Sequence, residues 1–390
     1  MTPNLKGPSE AASVHLDALR GIAAVGVCLS HLRDLFIQDY PKIPHHNALL
    51  SFIYFLTGLG HQWVVVFFVL SGYLVGGSVL RSYASSRWSW GDYMLNRLTR
   101  LYFVLIPALI LGGLFDLYGI HQFGTAGIYG GHTEGHMLVF AVKPRLSLAV
   151  MLGNYAFLQN IFVPVFGSNS PLWSLSYEFW YYIAFPLLAG MLWKRTKLLA
   201  KVLSAVLLIV WVYFVGHEIA WMGLIWLMGV TIHLLPSLPV ENAGTRKLLG
   251  FGAVALLMIT LAWCKATHAW YSDYVLGVAV TILVYLILCC ARKPMPALYS
   301  KPAQQLAHMS YTLYLVHVPL LVFLTAWMGG RRWLPSLSSL GYTAAIFVLV
   351  LAYAWVVYFC FERNTDAMRR WLKKRIFASR EMRANLTAAQ

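Results

Sequence analysis

VHLDALRGIAAVGVCLSHLRDLF, residues 14–36, is the stretch that decides the fold. It is an apolar run long enough to cross a bilayer, yet it holds Arg20 and His31 within it. The two lie eleven positions apart, which at about 100° per residue is about 20° past three full turns, with a rise of about 16 Å. Both side chains therefore project from one face of one helix. The Arg sits near one membrane surface and the His about half a bilayer deeper. Ionisable groups at such depth are costly and face a protein interior or a water-filled cavity. An Arg that can hold an anion and a buried His that can move a proton suggest chemistry inside a membrane.

The rest of the chain fits that beginning. Of 390 residues, 59% are hydrophobic and only 11% charged, with a mean hydropathy of +0.64. Such values exceed those of soluble domains. The expected fold is all-α: a polytopic membrane protein with about ten transmembrane helices in one bundle. The spans are read at 14–36, 61–80, 101–118, 172–193, 198–216, 219–235, 248–264, 272–291, 306–328 and 338–361. A cytoplasmic N-terminal segment (1–13) precedes the transmembrane domain (14–361), and a basic cytoplasmic tail (362–390) follows it. Cys28, Cys264, Cys289, Cys290 and Cys360 lie in or beside apolar runs and form no CxxC pattern, so they read as packing residues rather than disulfides or metal ligands.

The formal charge of +16 invites a nucleic-acid reading, which its distribution opposes. With both termini inside, about 23 of the 30 Lys and Arg residues fall on the cytoplasmic side. They cluster at Arg81/Arg87/Arg97/Arg100, Lys194/Arg195/Lys197/Lys201, Arg292/Lys293/Lys301 and along the tail. The charge thus records topology (N-in, C-in) and contact with anionic lipids; the expected location is the plasma membrane. The outer segment 119–170 is the longest loop. Its apolar piece, Leu148 to Phe166, is interrupted by Gly153, Asn154 and Pro164. It is expected to be re-entrant or interfacial, with protein covering its backbone. Tyr129, Tyr155 and Phe157 read equally as sugar-stacking rings or interface anchors.

Four further places put polar groups in apolar surroundings. Phe67-Phe68-Val69-Leu70-Ser71-Gly72-Tyr73 ends the second span, and its Ser71-Gly72 pair permits either close helix packing or a pocket wall. Arg97 and Arg100, spaced i, i+3, share a helix face at the cytoplasmic mouth of the third span. Their guanidinium forks match phosphate oxygens, although anchoring at the positive side explains them as well. Trp173-Ser174-Leu175-Ser176-Tyr177-Glu178 opens the fourth span and contains its only acid. A carboxylate there needs a partner, and His31 is the candidate. Ser310-Tyr311-Thr312-Leu313-Tyr314-Leu315-Val316-His317-Val318-Pro319 places His317 in mid-span, as a hydrogen-bonded core residue or a second proton carrier.

Taken in order, these five pieces resemble the acyltransferase 3 family of integral membrane acyltransferases, over nearly the whole chain from Leu16 to about Glu362. The sequence departs from the family at Phe103, where Pro often follows the Arg-X-X-Arg-X-Tyr piece, and at Phe361-Glu362-Arg363-Asn364, where Glu-(Arg/Lys)-Pro is common. The resemblance implies about ten spans. It also implies transfer of an acyl group, often acetyl, from cytoplasmic acyl-CoA to a hydroxyl on an exported or cell-surface glycan, or to a small-molecule glycoside such as a macrolide. On that reading Arg20, Arg97 and Arg100 bind the donor. His31 is the general base and Glu178 stabilises its imidazolium. Asp17, Ser71, Gly72, Trp173, Ser174, Ser176, Tyr314 and His317 line the pocket. The co-substrate is acyl-CoA, with no permanently bound cofactor and no metal. The partners are the glycan or lipid-linked saccharide and membrane lipids, not nucleic acid. A covalent acyl-Ser route through Ser174 or Ser176 lacks an evident base.

Other readings are weaker. His31 and His317 are a possible axial pair for a haem. His132-Thr133-Glu134-Gly135-His136 has its Glu in the wrong place for a zinc peptidase. The serious alternative is a transporter or flippase of a glycan or lipid intermediate, with the ionisable groups as its path. Arg97 and Arg100 argue against that, because a CoA site needs them and a glycan path does not.

Overall fold

A computed structural model describes residues 7–131, 137–267, 269–292 and 294–375. The His132–His136 stretch, Lys293 and the end of the tail lie outside the described residues. The sequence opens its first helix with a cap: the Ser9 hydroxyl accepts the N–H of Ala12, and α1 runs over Glu10–Phe36. Alongside it lies α11 (Ala297–Trp327), pointing the same way. His15 Nδ1 meets the Tyr299 hydroxyl at 2.9 Å, a sequence offset of 284, and His31 meets His317 at an offset of 286. A near-constant offset along both chains marks a parallel pair. Between these contacts Gly21 faces Leu306 and Ala307, so the backbones come close. Beyond them the pair is clasped. The Trp333 N–H donates to the Phe36 carbonyl at 2.7 Å, and Arg332 forks onto Asp39 at 2.7 and 2.9 Å.

A second parallel pair stands beside the first. α3 (Gly60–Ser71) passes through a π turn (Gly72–Gly76) into α4 (Gly77–Ala84), while α7 (Leu172–Leu192) runs in the same direction. His61 faces Trp173, Phe68 faces Tyr177, and the Tyr83 hydroxyl reaches the Pro186 carbonyl. Next comes α8 (Leu198–Thr231), which is helical except at Gly216, with φ 78 and ψ 172. Only Gly adopts that conformation without strain. Before the break, Ser204 lies near Gly190 and Phe214 near Trp180, so the helix descends against α7. After it, Ile219 accepts from Tyr181 and Trp226 packs on Phe185, so the helix runs with α7. The chain reverses at Gly216, where the sequence separates 198–216 from 219–235.

The remaining long helices are α5 (Trp90–Phe123), α9 (Ala243–Thr267), α10 (Ser272–Cys290) and α12 (Leu337–Cys360), with the short α2 (Ala48–Leu56) and α6 (Leu148–Tyr155) near loop ends. Eight helical stretches among the described residues are long and apolar enough to cross a membrane, which makes this an all-helical, multi-pass membrane protein. α7 falls outside that group because its Ser, Tyr, Trp and Glu178 residues lower its hydropathy. Both ends of the described chain lie on one face: Ser9 donates to the Ala291 carbonyl at the end of α10, and Lys373 pairs with Asp92 at the start of α5, 3.1 Å apart. The described cysteines are all free.

The interrupted segment after α6 is covered as expected. Asn154, fully buried, donates to the carbonyls of Val150 and Pro164 and accepts from the Phe166 N–H. The Phe157 carbonyl accepts from Ser176 and from Trp180. Every backbone group so tied is spared an unsatisfied polar contact.

The crossing of α3 and α8 depends on two glycines. A Cβ on Gly72 would collide with the Trp226 carbonyl, and one on Gly229 with the Val69 carbonyl. Gly72→Ala is expected to destabilise the protein by about 1–3 kcal/mol through overpacking, read as a lower melting temperature of the detergent-solubilised protein. Gly250→Ala, which meets open space on α9, should leave that temperature unchanged.

Candidate active site

Arg20, Arg97 and Arg100 converge, although they come from two helices. Asp17 sits one turn before Arg20 and pairs with its Nη2 at 3.2 Å, so it orients Arg20 and stands outside the cavity walls. Arg97 donates to Ser78 at 3.4 Å and lies over the rings of Tyr93 and Tyr182, 5.5 and 5.7 Å from their centres. The Nε of Arg20 and the Nε of Arg97 are buried and have no hydrogen-bond partner.

The three arginines form the shared wall of two cavities. One, of about 450 Å³, is polar and lies toward the face that holds the chain ends, with Asn96, His308, Glu362, Arg363, Asp366 and Arg369. The other, of about 120 Å³, extends into the bundle between Val64, Phe67, Phe68, Leu101, Ser174, Glu178, Tyr182 and Tyr314. Along α3 and the π turn that follows it, this inner cavity reaches from Val64 to Val75, a rise of about 16 Å.

Glu178 is held by hydroxyls. Ser71 Oγ donates to its Oε1 at 2.6 Å and Tyr182 OH at 2.5 Å, while Trp226 Nε1 donates to Ser71 at 3.1 Å. The carboxylate thereby fixes three elements around the inner cavity. Among the described residues no hydrogen bond or ion pair joins it to His31, where the sequence placed its partner. His31 instead meets a second histidine. Its Nδ1 lies 2.8 Å from His317 Nε2, and His317 Nδ1 lies 2.8 Å from the Leu313 carbonyl. The ring planes differ by 10° with centres 5.1 Å apart. With a 2.8 Å contact between nitrogens, that separation means coplanar rings meeting edge to edge. This contact also occupies the gap an iron would need, so the pair does not suit haem ligation. His317 is fully buried, whereas His31 is half-buried.

The structure sorts the other candidates. Ser71, Ser174 and Tyr314 line the inner cavity, and Ser174 and Tyr314 share a 2.6 Å hydrogen bond. Gly72 serves the helix crossing. Ser176 is buried and donates to the Phe157 carbonyl at 2.8 Å, so its role is to anchor the loop. Trp173 packs against His61, Phe68 and Tyr177. Neither is among the residues that line the two cavities, because Ser176 is turned to the loop and Trp173 is packed among rings of α3 and α7. Of the loop aromatics, Tyr129 and Phe157 are core residues, and Phe157 stacks on Phe179 at 4.2 Å. Only Tyr155 remains exposed, stacked on Tyr102.

Glu362, placed by sequence in the tail, belongs to the bundle. It accepts from Thr312 N and Oγ1, at 3.1 and 2.5 Å, and faces the polar cavity. Its signal in the sequence was its place as the first acid after a long apolar run. Tyr182 and Trp226 also went unread, since aromatics inside spans look like core.

A family model described as "Acyltransferase domain" matches residues 14–359. The chain is similar to Nodulation protein 10 of Rhizobium leguminosarum bv. viciae, at 25% identity over 379 residues, covering 87% of this chain and 92% of that protein. No solved structure matches it.

Ser71 links Trp226 to Glu178, so Ser71→Ala leaves an indole N–H and a carboxylate oxygen short of a partner. The expected cost is about 1–3 kcal/mol, measured as thermal unfolding of the purified protein in detergent. Unchanged stability would show that the relay contributes nothing to holding α3, α7 and α8 together.

Proposed function

The chain belongs to the acyltransferase family whose model it matches, and on that premise we propose that it moves an acyl group from cytoplasmic acyl-CoA to a hydroxyl on an exported or cell-surface glycan. Acetyl is the acyl group first proposed. The observation that carries this reading is the arginine wall shared by a polar and a largely apolar cavity. A donor with a phosphorylated head and a thin arm matches that division. Its phosphates would meet Arg20, Arg97 and Arg100, whose forked donors suit them. The arm would follow the inner cavity toward Ser174 and Tyr314, one turn before His317.

In the proposed reaction neutral His31 takes the proton of the acceptor hydroxyl, which arrives from the opposite face. The oxygen bonds to the thioester carbonyl carbon, the C–S bond breaks, and the leaving sulfur receives the proton from His31. Glu178 acts at longer range than contact, as a fixed negative charge that favours the imidazolium. The proposed topology has ten crossings: the eight apolar stretches, with that of α8 divided at Gly216, and α7. Both termini are proposed to face the cytoplasm of the plasma membrane, because that puts most Lys and Arg inside. The exposed apolar side chains of residues 198–213 would face lipid.

Radiolabelled acetyl-CoA, given to membranes expressing the protein, is expected to label extractable glycan. His31→Ala at matched expression should lose nearly all of that label. Equal labelling in both would remove His31 from the mechanism. No label with acetyl-CoA or longer acyl-CoA donors would favour the transporter reading. Arg97→Ala and Arg100→Ala are each expected to raise the KM for the donor about 10–100-fold, the worth of a charge-assisted hydrogen bond, with the KM for the acceptor unchanged.

A further inference from the structure

We propose that His317 is a positioning residue that sets the tautomer of His31 and leaves His31 Nε2 as the one basic nitrogen of the pair. The inference rests on the proposed role of His31 as the base. It starts from the Leu313 carbonyl, which can only accept a hydrogen bond. His317 Nδ1, 2.8 Å away, must therefore carry a proton. In neutral His317 the other nitrogen, Nε2, is then a lone pair. That lone pair faces His31 Nδ1 at 2.8 Å, so His31 Nδ1 must be the donor. A neutral imidazole has one N–H, and His31 Nε2 is left bare. It lies on the far edge of the ring, turned away from α11.

The coplanar arrangement, with planes 10° apart, puts the Nδ1–H of His31 along the lone pair of His317. No torsional adjustment is needed when His31 gains its proton. In that state His31 carries N–H groups at both nitrogens, and the new charge is delocalised onto Nδ1–H, which keeps its acceptor. The chain Leu313 carbonyl, His317, His31 does the work that a carboxylate does in other base-orienter pairs. It uses a neutral orienter in a place where a buried carboxylate would be costly. His317 can hold this pose because it is fully buried and because Pro319, two residues on, belongs to the same tightly packed stretch of α11.

The test combines spectroscopy of the intact protein with kinetics. In wild-type protein labelled with ¹⁵N-histidine and reconstituted in nanodiscs, the His31 signals, identified by their loss in His31→Gln, should report a protonated Nδ1 and a bare Nε2. A proton on Nε2 in the neutral ring would overturn the proposal without reference to any variant. In turnover, His317→Leu removes the acceptor and is expected to lower kcat about 10²–10⁴-fold with the KM of donor and acceptor unchanged. His317→Gln, whose side-chain oxygen can take the place of Nε2, should recover most of that loss. Full turnover in His317→Leu, with His31→Ala inactive, would refute the positioning role and leave His31 as the base. An active His31→Ala would refute both.

Discussion

The parallel pairing of α1 with α11 is the constraint on which the site depends. Parallel neighbours cannot be joined by a short loop, so their register has to come from side chains. It comes from two polar contacts at nearly constant offset, His15 with Tyr299 and His31 with His317, and from the Asp39–Arg332 clasp beyond the helix ends. Gly21 lets the two backbones approach between them. A slip of one turn would break all of these at once and leave the buried His317 without its partner, at a cost of about 1–3 kcal/mol. The same register brings His317 to the height of His31.

Around the two cavities, Glu178 and Glu362 are held by hydroxyls rather than by the arginines. Glu178 takes its hydrogen bonds from Ser71 and Tyr182, and Glu362 takes its own from Thr312. Asp17 engages only one nitrogen of Arg20. Had these carboxylates closed bidentate pairs with the arginines, the site would be neutral and shut. Hydroxyls satisfy the acids at a smaller geometric cost, and two guanidinium Nε donors stay buried and unpartnered. Burying such donors is unfavourable by itself.

The loop between α5 and α7 acts as a structural cover. Asp116, buried on α5, accepts from both the N–H and the hydroxyl of Ser168 at 2.7 Å. Asn169 then donates to the Leu315 carbonyl, on the helix that carries His317. The irregular backbone after α6 is fastened to α7 through Ser176 and Trp180. These contacts set the angle at which α7 enters the bundle, and through α7 the position of Glu178.

Much of this was legible in the sequence. Arg20 and His31 on one helix, the helical class, the break between 216 and 219 and the pairing of Arg97 with Arg100 on one face follow from periodicity and hydropathy, which act within a few residues along the chain. The sequence also named the serine and the acid, Ser71 and Glu178, that meet across 107 positions. It could not say that they meet each other. The partner of His31 is His317 rather than Glu178, Ser176 anchors a loop rather than lining a cavity, and Glu362 sits in the bundle rather than the tail. Each of these was decided by which helix faces which, and at what height. In a bundle whose helices are all apolar, composition carries almost no information about neighbours. Small-residue crossings such as Gly72 on Gly229, and the need to satisfy every buried polar atom, choose among the possible packings, and both operate only once the tertiary structure exists.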